Sequence, residues 1–228
     1  MNRVGLKKAE ILIFGHRKIM HESIYPTPYL PVPQPRTGPM RLLLYGGFLG
    51  GLLITVAGLW VGIVQNENIW TAWFAGKFAA WQGMGIGLFI GTVFALGMWY
   101  GGRYIEGFAA IRRKIAQALE LESIYGWHAI ALSLIAAVPE EIFFRGAMQP
   151  TLGLILTALI FGVLHAMTRL YFIYAALAGV GLGLLANWHG SLWMPMAAHF
   201  AVNCWSLMLL ARWSRAENQK APTEVLML

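Results

Sequence analysis

Apolar residues in this chain come in long uncharged blocks, with neither the alternation of strands nor the one-sided stripe of soluble helices. Residues 42–64 are 23 uncharged positions, enough for a helix rising ~1.5 Å per residue to cross ~30 Å of hydrocarbon. Residues 78–102 form a second uncharged block, entered through an aromatic segment with Trp70, Trp73 and Trp81. The next stretch, 103–122, is charged. It places Ile105, Phe108, Ile115 and Leu119 roughly on one helical face beside Arg112, Arg113 and Lys114, the pattern of a helix lying on a bilayer surface. Residues 127–211 then hold only four charges: Glu140, Glu141, Arg145 and Arg169. Pro150, Arg169 and a turn at 187–190 divide this part into helices near 127–148, 150–168, 170–187 and 192–211. The pattern predicts an all-α polytopic membrane bundle of about six transmembrane helices, the last four forming a core.

The flanks differ from the spans. Residues 1–40 are basic, with six prolines between Pro26 and Pro39 that make a stiff linker. Spans one and two fill 41–102, the interfacial segment 103–126, the helical core 127–211, and a polar tail 212–228. Composition agrees: 58% of residues are hydrophobic and 12% charged, against about a quarter charged in soluble domains. That excludes an ordinary soluble enzyme and a disordered chain, and the single Cys204 excludes a disulfide scaffold. Ten tryptophans suit a protein with two membrane–water interfaces to anchor.

Charge adds orientation. The net charge of +7 reads as contact with anionic lipid, and no basic patch interleaved with aromatics argues for nucleic acid. Positive residues gather in the N-terminal segment, at 103–114, at Arg169 and at Arg212, Arg215 and Lys220. Six spans put all four places on one side, so both termini are expected in the cytoplasm, in the inner membrane of a bacterium.

Ionisable groups inside a span need a reason to be there. Glu141 and Arg145 are i,i+4 with the acid first, the favourable order for an intrahelical ion pair. Glu140 points ~100° away and is left without a partner on its own helix. Pro139 removes a backbone hydrogen bond just before it. His165 comes one turn after Phe161, and His199 and Asn203 share a face of the last helix. The plain alternative is a buried Glu–Arg clamp with a spare acid and packing histidines. Four such polar groups on three helices can instead converge on a water or a zinc ion, for which Glu and His are suitable ligands. His16, His21, His128 and His189 read as interfacial, His189 least securely, and Cys204 as an inert thiol.

Familiar intramembrane hydrolase motifs are missing. There is no His-Glu-x-x-His, no Gly-x-Ser-Gly at Gly190-Ser191-Leu192, and no aspartate anywhere in the chain. What is present is Glu140-Glu141-Ile142-Phe143-Phe144-Arg145, then Phe161 to His165, then His199 to Asn203. This ordered set, spread over roughly 127–211, resembles the CPBP (Abi) family of CAAX prenyl endopeptidases and bacteriocin-processing enzymes. The resemblance implies an intramembrane endopeptidase acting on a membrane-associated peptide or protein. It implies Glu140 and His165 as activators of the attacking water, and His199 with Asn203 as the oxyanion partners. Glu141, Arg145 and Phe161 would support them, and Glu140, His165 and His199 are the family's candidate zinc ligands. An inactive scaffold or bacteriocin-immunity factor of the same fold is the main alternative; a haem or transport protein using His165 and His199 is a weaker one. One geometric tension remains. Glu140 falls ~20 Å into its helix while His165 falls near the far end of the next, so the site demands an offset between helices or a kink at Pro139.

Overall fold

The computed structural model describes residues 38–77 and 79–220. The predicted N-terminal segment 1–40 therefore lies almost wholly outside the described residues, as do positions 221–228 of the predicted tail. Helix α1 (Pro39–Leu59) opens on a proline, whose missing N–H is not needed in a first turn, and runs on through a π-helical segment, Trp60–Gln65. A short α2 (Ile69–Phe74) is capped by Asn68, whose side chain accepts hydrogen bonds from the N–H groups of Trp70 and Thr71. Helix α3 (Ala80–Gly101) leads to the amphipathic α4 (Glu106–Ala118). Helix α5 (Gly126–Glu141) continues through a π-helical segment, Ile142–Met148, and a last turn, Gln149–Leu152. Then come α6 (Leu154–Leu164), α7 (Arg169–His189) and α8 (Trp193–Lys220). No strand occurs among the described residues.

Five of these stretches are long and apolar enough to cross a membrane: Pro39–Gln65, Ala80–Tyr104, Gly126–Leu152, Arg169–His189 and Trp193–Glu217. The expected span at 150–168 is different. Pro150 does not break the chain there; it sits at the start of the short turn Gln149–Leu152 that follows the π-helical segment, a first-turn position where a proline is tolerated. The break is at Gly153, whose φ of 79° is open to glycine at no steric cost. Beyond it, α6 has 11 residues and rises only about 16 Å. At the other end α8 runs on to Lys220, into the stretch whose charges mark a tail.

Packing contacts set the direction of each helix. Arg145 and Gln149 on α5 bond the carbonyls of Gly179 and Gly183 on α7, so these two helices run parallel. The α6–α7 pair is antiparallel: Gly162 meets Phe172 and Ala176, Gly179 meets Ala158, and Gly183 meets Leu154. Gly46 and Gly50 of α1 lie against Ile135 and Pro139, so α1 runs with α5. Gly83, Gly87 and Gly91 of α3 meet His189, Met194 and Ala198 in order, so α3 runs with α8. Among the described residues the five long helices and the short α6 thus alternate in direction along the bundle. Pro39, the end of α3, α4 and the end of α8 gather at one end of the bundle.

Small residues make these approaches. In lipid there is no hydrophobic drive between helices, and close backbone contact replaces it. Large apolar side chains such as Phe48, Ile63, Phe89 and Leu177 point outward, where hydrocarbon solvates them. A Cβ on Gly91 would overlap the Ala198 carbonyl oxygen, whereas one on Gly97 would meet nothing within 4 Å. Gly91→Ala is therefore expected to destabilise the protein by about 1–3 kcal/mol, the scale of overpacking. Gly97→Ala, in open space on the same helix, should be neutral or slightly stabilising. Thermal unfolding of the two variants in one detergent checks the contrast, and equal losses would refute it.

Candidate active site

The site forms where α5 is least regular. Pro139 cannot donate to the helix ladder, and its ring needs room that Gly50 of α1 leaves: a Cβ on Gly50 would come 2.8 Å from Pro139 Cγ. Just after Glu141 the helix widens into its π segment, which begins at Ile142. Glu140 and Glu141 thus sit at the junction of two backbone irregularities, and they point to different neighbours.

Glu141 is fully buried and its Oε1 takes two charge-assisted bonds. Arg145 Nη1 donates at 2.9 Å and His199 Nδ1 at 2.7 Å. The second hand of the guanidinium, Nη2, donates to the Gly179 carbonyl of α7 at 3.0 Å. Arg145 also lies over the ring of Phe161, with Cζ 4.7 Å from its centroid. The expected i,i+4 pair is therefore one part of a wider network that joins α5, α7 and α8. The His199 and Gly179 partners could not be read from spacing, because they are tertiary contacts.

Glu140 faces the other way, with its side chain 21% exposed. Its Oε2 is 3.7 Å from His165 Nε2 and 3.8 Å from His199 Nε2. These separations exceed a direct hydrogen bond and suit groups that share a third partner. The ring orientations are set by the other nitrogens. His165 Nδ1 lies 2.8 Å from the Phe161 carbonyl, which can only accept, so Nδ1 carries a proton. His199 Nδ1 likewise donates to the Glu141 carboxylate. Both Nε2 atoms are thereby directed at Glu140. Phe161 holds this arrangement from several sides: it stacks on His165 at 4.2 Å and meets the edges of Phe144 at 5.0 Å and His199 at 6.0 Å.

Asn203 is one turn beyond His199 on α8 and half-buried. No hydrogen bond among the described residues links its amide to Glu140, His165 or His199. The structure thus gathers Glu140, His165 and His199, with Glu141, Arg145 and Phe161 around them, and does not bond Asn203 to this group among the described residues. The carboxylate and imidazole donors are of the type zinc takes. Among the described residues, however, no three His, Cys or Glu side chains come together as a metal-holding group.

The depth of the site resolves the tension between helices. Glu140 is 14 residues into α5, about 21 Å from its start. Helix α6 starts opposite Gly183, six residues short of the end of α7, and stops after 11 residues. The hairpin between α6 and α7 therefore ends inside the bundle, and His165, just past α6, arrives at the level of Glu140. His189, expected near an interface, is instead fully buried, with its Nδ1 2.6 Å from Ser191 Oγ. The cradle formed by Gly76 and Gly83 is what admits its ring. His128 bonds the Tyr125 N–H at the start of α5, and Cys204 is a buried free thiol.

Comparison with known proteins bears on the same region. Residues 122–205 match the family described as type II CAAX prenyl endopeptidase Rce1-like, in agreement with the resemblance read from the motifs. A Bacillus subtilis relative, the uncharacterized protein YpbD, is 40% identical over 79 residues, 33% of this chain. The match spans 42% of that relative's length. No solved structure matches the chain.

Removing the buried cation tests the network. Arg145→Met leaves Glu141 charged and only partly bonded, and should cost about 3–5 kcal/mol, the scale of a broken buried pair. Arg145→Lys cannot reach Glu141 and Gly179 together and should recover only part of this. Thermal melting in detergent reads both, and a wild-type melting temperature for Arg145→Met would count against the network's structural weight.

Proposed function

We propose that the Rce1-like domain at residues 122–205 makes this protein an intramembrane endopeptidase, hydrolysing a membrane-associated peptide or protein with a water activated by Glu140 and His165. The observation that carries this reading is the convergence of both Nε2 atoms on one oxygen of Glu140, at 3.7 and 3.8 Å. A water seated among the three groups has a carboxylate to take its proton and an imidazole nitrogen to hold its orientation. The attack forms a C–O bond to the scissile carbonyl and leaves an oxyanion. His199, protonated on Nε2 while Nδ1 stays anchored on Glu141, is placed to donate to that oxyanion, and the Asn203 amide is the second donor. The proton gathered by Glu140 then passes to the departing amine as the C–N bond breaks. No step here is routed through a metal.

Fixed orientation matters more than any single bond in such a site. His165 is held by a carbonyl and a stacked ring, and His199 by a buried carboxylate. A substrate bond must reach Glu140 at a depth of about 21 Å along α5. Arg41, Arg103, Arg113 and Arg212 at one end of the bundle support reading that end as the cytoplasmic one, with both ends of the described residues on that side. The catalytically inactive scaffold of the same fold is separated from this reading by experiment.

Glu140→Gln preserves shape and removes the base. In membranes carrying the variant, formation of cleaved peptides should fall by about 10²–10⁴-fold while the protein stays folded. Asn203→Ala, which removes one oxyanion donor, should lower turnover by about 10²–10³-fold. Comparing peptides released from membranes with wild-type and variant protein measures both. A biological function that survives Glu140→Gln and His165→Ala intact would favour the scaffold.

A further inference from the structure

The corner between α3 and α4 holds two arginines, Arg103 and Arg112, and no carboxylate among the described side chains pairs with either. Arg103 lies over the ring of Tyr100, its Cζ 5.1 Å from the centroid, and Arg112 over Trp99 at 4.8 Å. Arg112 Nη2 also donates to the Trp99 carbonyl at 3.4 Å. Both rings belong to the last turn of α3, so the two guanidiniums sit at the depth where hydrocarbon gives way to headgroups. None of the ion pairs among the described side chains involves Arg103 or Arg112. Burial and, after it, the charge of Arg103 push the Arg112 guanidinium below its ordinary pKa. Arg112 Nη2 lies 3.4 Å from where a Cβ on Gly102, the neighbour of Arg103, would stand, so two like charges share one half-buried corner, where an anion would relieve both.

The corner is built and fixed. Gly102 is buried there, and a Cβ on it would come 3.4 Å from Arg112 Nη2 and 3.5 Å from Phe108. Helix α4 is docked on the bundle, with Ile111 buried and Phe108 edge-on to Tyr174 of α7 at 6.1 Å. Outward of the corner, α3 shows lipid-facing Phe89 and Val93, against which acyl chains can lie. Planar guanidiniums donating in pairs match the oxygens of a phosphodiester.

We propose that Arg103 and Arg112 clamp the headgroup phosphate of an anionic phospholipid at the α3–α4 corner. The site lies apart from Glu140 and does not depend on how that group functions. Native mass spectrometry of the full chain, released from bilayers of phosphatidylcholine with phosphatidylglycerol, tests it. Wild type should retain phosphatidylglycerol. Arg103→Gln and Arg112→Gln should each weaken retention about tenfold or more, the scale of one set of charge-assisted hydrogen bonds. The paired control Arg113→Gln with Lys114→Gln should retain the lipid, since those side chains lie outside the clamp. Equal retention in the clamp variants, or equal loss in the control, would overturn the proposal. Inorganic phosphate and glycerophosphoglycerol, added as competitors, should leave the lipid bound; displacement by either at the lipid's own concentration would assign the corner to a soluble phosphate ester instead. Melting in pure phosphatidylcholine, expected to match wild type for both Gln variants, separates lost lipid from lost fold. Should either variant melt early, Arg103→Lys with Arg112→Lys decides: intermediate retention supports the clamp, and wild-type retention excludes the guanidinium geometry.

Discussion

In a hydrocarbon surrounding, a carboxylate with no exposed surface has to draw its charge partners from the protein itself. Glu141 Oε1 is matched by Arg145 from its own helix and by His199 from α8, while Oε2 is without a hydrogen-bond partner among the described residues. Arg145 in turn donates from Nη2 to a backbone carbonyl of α7, while its Nε is without a hydrogen-bond partner among the described residues. Three helices are therefore locked at one depth by a charge that none of them can release alone. The same bonds decide which nitrogen of His199 turns toward Glu140. Structural support and the orientation of a reacting group are one arrangement here.

Around that anchor the packing has two regimes. Where α3 meets α8 and α6 meets α7, glycines and alanines bring backbones together and the helices stay regular. Where α5 carries its glutamates, regularity is given up. A proline ring, a π-helical segment and a glycine on α1 fall within a few residues of the chemistry. π-Bulges inside helices occur often at functional sites, because an extra residue in a turn redirects side chains without ending the helix. The irregular stretch aims Glu140 and Glu141 at different partners.

Much of this was legible in the sequence. The uncharged blocks marked the long helices because the membrane imposes a minimum length that composition alone reveals. The Glu141–Arg145 pair could be read from i,i+4 spacing, and the solitary position of Glu140 from that pair in turn. Three things were not legible. The short α6 was hidden because an 11-residue apolar helix and its flanks carry no charge until Arg169, so the block looked like a full span. The bond from Glu141 to His199 joins positions 58 apart, and no local pattern encodes it. The burial of His189 depends on the missing side chains of Gly76 and Gly83, which sequence shows only as two glycines among many.

The shortness of α6 works as a measuring rod. Its start is pinned by the turn at Gly153 and by Leu154 against Gly183, and its far end delivers His165. One added residue would advance the end by about 1.5 Å and swing it through about 100°; a whole added turn would carry the imidazole about 5.4 Å past the glutamate. Lipid-facing positions on this helix can change their side chains freely, but their number cannot change. Length itself, independent of residue identity, becomes a heritable constraint, and a count of positions between Gly153 and His165 is information that substitution patterns alone would overlook.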